Sequence, residues 1–96
     1  MTIGSFRHKG LRRLHSHDDT RGLPAAAVDK LRKMLGFLEA MSDERELHAI
    51  PTWRAHKLTG GRKGVWSLFV TRNWRLTFWI DATEGTIEDL KFEDYH

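Results

Sequence analysis

Val65-Trp66-Ser67-Leu68-Phe69-Val70-Thr71-Arg72-Asn73-Trp74-Arg75-Leu76-Thr77-Phe78-Trp79-Ile80 is the stretch whose reading decides the fold. Trp66, Leu68 and Val70 alternate with Ser67, Phe69 and Thr71, and beyond Arg72-Asn73 the residues Leu76, Phe78 and Ile80 alternate with Arg75, Thr77 and Trp79. A period of two belongs to strands, in which successive side chains point to opposite faces. The stretch is therefore expected to form a β-hairpin turning at Arg72-Asn73. If the aliphatic set faces a layer of helices, Arg75, Thr77, Trp79, Ser67 and Phe69 share the opposite face. That arrangement puts a guanidinium and aromatic rings on an open sheet surface, the first place to look for function.

Just upstream, Trp53 to Leu58 reads as the strand that precedes the hairpin, and it contains His56. The segment Thr59-Gly60-Gly61-Arg62-Lys63-Gly64 reads as a glycine-rich turn carrying two cations, compatible with a hairpin loop longer than two residues. It is not a P-loop, because that motif needs Gly-Lys followed by Ser or Thr ahead of a helix, and here the glycines lead into a strand. Downstream, Asp81 to Gly85 is a turn, Thr86 to Phe92 a last strand, and Glu93-Asp94-Tyr95-His96 ends the chain.

On the N-terminal side, Met1 to Phe6 is a candidate edge strand, and Arg7 to His15 fits a short amphipathic helix with Leu11 and Leu14 on one side and cations around them. His15-Ser16-His17-Asp18-Asp19 breaks that pattern; an H-x-H pair followed by acids suggests a metal site, but a polar loop fixes no ligands and a solvated loop is the better reading. Thr20 to Pro24 looks like a helix entrance, with Pro24 near the first helical position, where its missing N–H costs nothing. Val28, Leu31, Leu35 and Leu38 then form a stripe at helical spacing, which is core. Gly36 inside this helix costs roughly 1 kcal/mol relative to Ala, so it is expected to mark close packing. Ser42 to Arg45 ends or re-caps the helix, and Leu47 to Pro51 is irregular.

Two helices followed by antiparallel strands make an α+β chain, with the helices packed on one face of a small antiparallel sheet and the other face open. At 96 residues, 40% hydrophobic and 30% charged, residues 1–96 suit a single folded domain with one modest core rather than a disordered chain. No apolar run approaches membrane-spanning length and no signal-peptide pattern precedes Arg7, Lys9, Arg12 and Arg13, so the expected location is the cytoplasm. The absence of cysteine excludes disulfides, thiolate metal sites and cysteine nucleophiles.

The formal net charge is +3, and its distribution says more than its size. Arg54, Lys57, Arg62, Lys63, Arg72 and Arg75 fall in a stretch without a single acid, whereas Asp81, Glu84, Glu88, Asp89, Glu93 and Asp94 crowd the C-terminal region around Lys91. Clustered cations are the electrostatic footprint of phosphate binding, and equally of a solvated basic face.

Four segments, in order, carry a family resemblance: Ser5-Phe6-Arg7-His8-Lys9-Gly10-Leu11; the pattern His-Lys-Leu-x-Gly-x-Arg-x-Gly-x-Trp-Ser starting at His56; Asn73-Trp74-Arg75-Leu76-Thr77-Phe78; and the terminal Asp94-Tyr95-His96. Together they resemble the HigB branch of the RelE/ParE toxin superfamily over essentially the whole chain. The resemblance implies a ribosome-dependent messenger-RNA interferase that cleaves in the A site of the small subunit and is neutralised by a HigA-like helix-turn-helix antitoxin, through which alone it meets operator DNA. It implies no cofactor, no metal and no membrane partner. By the same resemblance His56, Asp94, Tyr95 and His96 match the catalytic cluster, with the two histidines as the proton-transfer pair, Asp94 orienting them and Tyr95 stacking or hydrogen bonding near the scissile phosphate. Arg75 matches a phosphate-stabilising arginine, and Arg54, Lys57, Arg62, Lys63 and Arg72 are the candidate RNA contacts.

The residues permit this chemistry on their own terms. RNA cleavage without a metal needs a base for the 2′-OH, cations for the phosphorane-like transition state and an acid for the departing 5′ oxygen, and imidazole titrates near physiological pH. Each candidate also has a plain structural reading: His56 as a solvated strand residue, Asp94 to His96 as a frayed tail, Arg75 as a partner of Glu88 or Asp89 across the sheet, and Trp66, Trp74 and Trp79 as packing residues, with Trp79 the one placed for stacking. A ParE-like relative that inhibits DNA gyrase by protein binding is the competing function, since one fold hosts both. Two imidazoles and a carboxylate favour the nuclease, because a purely protein-binding surface needs none of them.

Overall fold

The structure is a computed structural model and describes residues 1–95. The elements run β1 (Thr2–Ile3), α1 (Lys9–His17), α2 (Val28–Ala40), β2 (His56–Lys57), β3 (Trp66–Thr71), β4 (Trp74–Asp81) and β5 (Thr86–Asp94), with short 3₁₀ turns between them. The strands form one sheet in the order β1-β5-β4-β3-β2. The hairpin pairs Trp66 with Phe78 and Leu68 with Leu76 on one face, and Ser67 with Thr77 and Phe69 with Arg75 on the other, as the alternation requires. The sheet is mixed rather than purely antiparallel, because β1 lies parallel to β5 at the edge.

Both helices cover the aliphatic face. Leu11 and Leu14 of α1 and Val28, Leu31, Met34, Leu35 and Leu38 of α2 form a continuous core with Leu68, Val70, Leu76, Phe78, Ile87, Leu90 and Phe92 of the strands. The half-buried Trp74 stacks on Phe92 with ring centroids 4.4 Å apart, and Trp53 meets Phe37 edge-on at 5.0 Å, so two tryptophans are packing residues. No described helix is long and apolar enough to cross a membrane.

Several local expectations are corrected. His15 to His17 belong to α1, which ends at Asp18 in the left-handed conformation (φ 52°), so the H-x-H pair sits in the last helical turn and not in a loop. There His15 Nε2 lies 3.1 Å from Glu39 of α2, which ties the two helices together. Gly36 is exposed and marks no close packing: a Cβ there would meet nothing within 4 Å. The stretch Leu47 to Pro51 is organised by a 3₁₀ turn, Glu44–Ala49, that Asp43 and Glu46 cap reciprocally.

The expected strand Trp53 to Leu58 shrinks to His56–Lys57, because Trp53 closes a 3₁₀ turn and Arg54 is left-handed at φ 47°. At the other end the last strand is longer than the alternation suggested, running on to Asp94. Its pairing with β4 is irregular between Thr77 and Trp79. Asp89, at φ 54°, is the extra residue of a β-bulge, and its N–H is taken by the hydroxyl of Ser5 at 2.8 Å.

Candidate active site

His56 is positioned from both sides. The buried Trp53 anchors the 3₁₀ turn, the left-handed Arg54 then swings its carbonyl towards the strand, and His56 Nδ1 lies 2.8 Å from that oxygen. A carbonyl only accepts, so Nδ1 carries the hydrogen, and in the neutral ring the lone pair is then on Nε2, the arrangement of a general base. Pairing with Ser67 sets the ring on the sheet face away from the helices.

Arg75 sits on the same face, opposite Phe69. Its Nη1 donates to the carbonyls of Thr71 at 2.8 Å, Trp74 at 3.1 Å and Arg72 at 3.4 Å, which ties the guanidinium to the hairpin turn. The group is sandwiched, 4.5 Å from the Phe69 centroid and 4.2 Å from that of Tyr95. The pairing with Glu88 or Asp89 does not form: Glu88 accepts from Ser5, and Asp89 is held by Arg7 and by Trp79 Nε1. That second bond ties the exposed Trp79 to β5, and Trp79 does not line a cleft with His56.

Asp94 and Tyr95 are held rather than frayed. Asp94 pairs with Trp74 in β5, and Tyr95 N–H donates to the carbonyl of Asn73 at 2.7 Å. His96, expected as the second proton-transfer group, lies outside the described residues.

These elements enclose two adjoining clefts on the sheet face. One, about 230 Å³, is lined by Arg54, His56, Leu58, Ser67, Phe69, Arg75 and Tyr95. The other, about 150 Å³, shares Leu58, Ser67, Arg75 and Tyr95 and adds Arg62, Thr77, Glu93 and Asp94. A hollow of about 580 Å³ beside Met1, Met41 and Ile80 is larger but contains no histidine. The expected open face is thus partly roofed, and Ser67 and Thr77 are buried at 5% and 4% exposure.

The candidate RNA contacts divide. Arg54 lines the cleft with its guanidinium 5.0 Å from the Phe69 ring. Arg62 reaches over the sheet to Glu93 in a two-bond ion pair, one arm 3.1 Å long, and Thr77 donates to the same carboxylate. Burial raises the Glu93 carboxyl, but the bonds from Arg62 and Thr77 outweigh it and hold the group below the ordinary glutamate value. Lys57 alternates to the opposite side of β2, where it lies 5.5 Å from the Trp66 ring and 3.4 Å from Glu44, so it is not brought to His56. Lys63 and Arg72 are exposed and line neither cleft.

One cation at this site escaped the sequence reading. Lys30 of α2 places Nζ 5.1 Å from the Phe69 centroid, and burial lowers its pKa. Its spacing assigns it to the polar side of a helix, and only the tertiary fold reveals that it reaches the edge of β3 beyond the two paired residues of β2. Among the described residues, no group of three or more metal-ligating side chains is placed to hold an ion.

Comparison with known proteins places the chain in a family. Residues 4–96 match the family model described as RelE-like toxin of type II toxin-antitoxin system HigB. Endoribonuclease HigB of Proteus vulgaris is 38% identical over 94 residues, covering 98% of this chain and 99% of the relative. The fold is similar to the YoeB/ParE toxin from Agrobacterium tumefaciens, with TM-score 0.62, 15% identity and full coverage of both chains. It is also similar to a chain of the YoeB-YefM complex from Staphylococcus aureus, with TM-score 0.55, 15% identity and coverage of 100% of this chain and 99% of that one. With nearly its whole length matched, the chain belongs to the HigB-like family of RelE-like toxins of type II toxin–antitoxin systems.

Proposed function

We propose that this toxin is an endoribonuclease that cuts messenger RNA in the ribosomal A site and is neutralised in the cytoplasm by a helix-turn-helix antitoxin. The observation that carries the reading is the cleft in which His56, Arg75 and Tyr95 meet, with Asp94 in the adjoining one. The name of the Proteus relative, an endoribonuclease, supports it over the same length of chain.

The residues take complementary parts. His56 Nε2 removes the proton of a ribose 2′-OH, the 2′ oxygen bonds to phosphorus, and the bond to the 5′ oxygen breaks to give a 2′,3′-cyclic phosphate and a 5′-OH. Arg75, held planar between Phe69 and Tyr95, offers delocalised charge to the phosphorane oxygens. His96 returns a proton to the leaving 5′ oxygen, and Asp94 orients the imidazoles. No step in this route uses a metal ion. So few groups rely on the ribosome to hold the message in line, and activity on free RNA is accordingly weak.

The test is purified protein added to ribosomes translating a defined message, with cut sites mapped by primer extension. Cuts within the A-site codon are expected. The variants His56→Ala, Asp94→Ala and His96→Ala should each lower the rate by about 10²-fold or more, the usual weight of a positioned acid or base. Equal cutting by wild type and variants removes the site assignment. An intact message together with inhibited gyrase supercoiling replaces the nuclease with the protein-binding toxin.

A further inference from the structure

Phe69 has three cations around one ring. Lys30 Nζ lies 5.1 Å from the centroid, the Arg54 guanidinium 5.0 Å and the Arg75 guanidinium 4.5 Å. No two of them can then be farther apart than about 10 Å, comparable with the Debye length at 0.1 M salt. They repel one another, and the ring offsets only part of that cost.

The ion pairs of this region fall elsewhere. Arg62 is tied to Glu93 and Lys57 to Glu44, whereas Lys30 and Arg54 form no ion pair among the described residues and Arg75 Nη1 is committed to backbone carbonyls. Lys30 is also half-buried, and burial disfavours its charge. A convergent set of cations of three different origins, a helix, a left-handed turn and a strand, is stabilised by an anion bound among them.

We propose that Lys30 and Arg54 at Phe69 form a binding subsite for an RNA phosphodiester next to the scissile one, with Arg75 on the same ring facing the scissile group and Lys30 the member contributed by the helix layer. The proposal rests on the nuclease reading. A phosphate is favoured over a protein carboxylate because Arg54 and Arg75 also line the cleft that holds His56. An anion here is therefore covalently continuous with a substrate held at the imidazole. β2 pairs with β3 only at Ser67 and Trp66, so at Phe69 the β3 edge is met by the side chains of Arg54 and Lys30 rather than by a strand.

Lys30→Met keeps an unbranched apolar side chain against Phe69 and removes the charge, and Lys30→Arg keeps the charge. Steady-state cleavage on translating ribosomes is measured for wild type and both variants, alongside anisotropy of a short 2′-O-methyl RNA titrated at several salt concentrations and affinity for the cognate antitoxin. In the proposed case Lys30→Met raises KM about tenfold, the weight of one charge-assisted contact, with little change in kcat. It also flattens the slope of log affinity against log salt by about 0.7, the share of one phosphate on a single strand, and Lys30→Arg restores both. Unchanged KM and slope in Lys30→Met overturn the subsite while wild-type cleavage leaves the nuclease reading standing. Loss of antitoxin affinity with unchanged cleavage overturns it in favour of a protein carboxylate. If wild type does not cleave, the nuclease reading falls first and the subsite with it.

Discussion

Gly36 and His8 show how differently two polar-face residues of the helix layer bear on stability. Gly36 is helical and exposed, with open space where a Cβ would stand, so it incurs the backbone entropy of glycine without any packing return. Gly36→Ala is expected to raise unfolding free energy by about 0.5–1 kcal/mol, read from urea denaturation; a loss of stability would mean that the position packs after all. His8 is the reverse case. Its Nδ1 accepts from Leu11 N–H at 3.2 Å as the N-cap of α1, its ring meets Phe92 edge-on at 5.7 Å, and burial pushes its pKa below the usual histidine value. Protonation turns the acceptor into a donor and sets a positive charge at the positive end of the helix. With the folded pKa depressed, the unfolded chain binds the proton first. Stability therefore falls as pH drops through about 6.5 and levels off below the folded pKa. The difference in unfolding free energy between wild type and His8→Asn, whose amide caps at any pH, should change by about 1 kcal/mol between pH 8 and 5, the worth of a cap. Parallel pH curves would sink the assignment. Neither role was legible in the sequence: spacing marks the face a residue takes, not what covers it.

Among the elements, the hairpin was the most legible, since its alternation pairs Trp66 with Phe78, Ser67 with Thr77, Leu68 with Leu76 and Phe69 with Arg75 as observed, up to an irregularity between Phe69 and Thr71 beside the turn. The flanking strands were less so. In β5 the bulge at Asp89 shifts the alternation, and in the segment before the hairpin the left-handed Arg54 confines the strand to two residues. The loop between β2 and β3 is where this matters for the site. It carries a 3₁₀ turn at Gly60–Arg62 and is fastened to the sheet by the pair between Arg62 and Glu93, an interaction that no local spacing announces. The expected consequence of Glu93→Gln is a small global loss, about 1 kcal/mol for a half-exposed pair at the edge of a loop, and a local one that is larger. Amide exchange at Lys63 and Val65, whose N–H groups bond within the loop, should quicken about tenfold while β3 and β4 keep their protection. Because the Glu93 carboxyl is held below its usual value, the same loosening appears in wild type only as pH falls below about 4.5. Uniform quickening across the sheet would show Glu93 to be part of the core fold instead.

Across the whole molecule the sheet separates two tasks. The helix side buries the apolar set continuously from Leu11 to Phe92, and the other side gathers His56, Arg54, Arg75 and Tyr95 around Phe69. Hydrophobic patterning made the first side legible because burial is periodic in sequence. The second was legible only in part, through the resemblance that singled out His56 and Tyr95, which the fold brings to one cleft, because convergence of a strand, a turn and a tail leaves no periodic trace; Lys30, 5.1 Å from the Phe69 ring, is the residue this lost. The division implies that the last residues can be removed without unfolding the protein. Phe92 is the final core residue, Asp94 completes β5, and Tyr95 is 59% exposed. Deleting Tyr95 and His96 is expected to lower the melting temperature by less than about 5 °C, the shift of roughly 1 kcal/mol in a domain of this size. It should abolish A-site cleavage, because Arg75 loses one of its two aromatic faces and the proposed proton donor is gone. Calorimetry and primer extension on the same preparation decide the matter. Melting far below this limit would make the tail part of the fold, and full cleavage by the truncated chain would move the proton donor elsewhere on the sheet face.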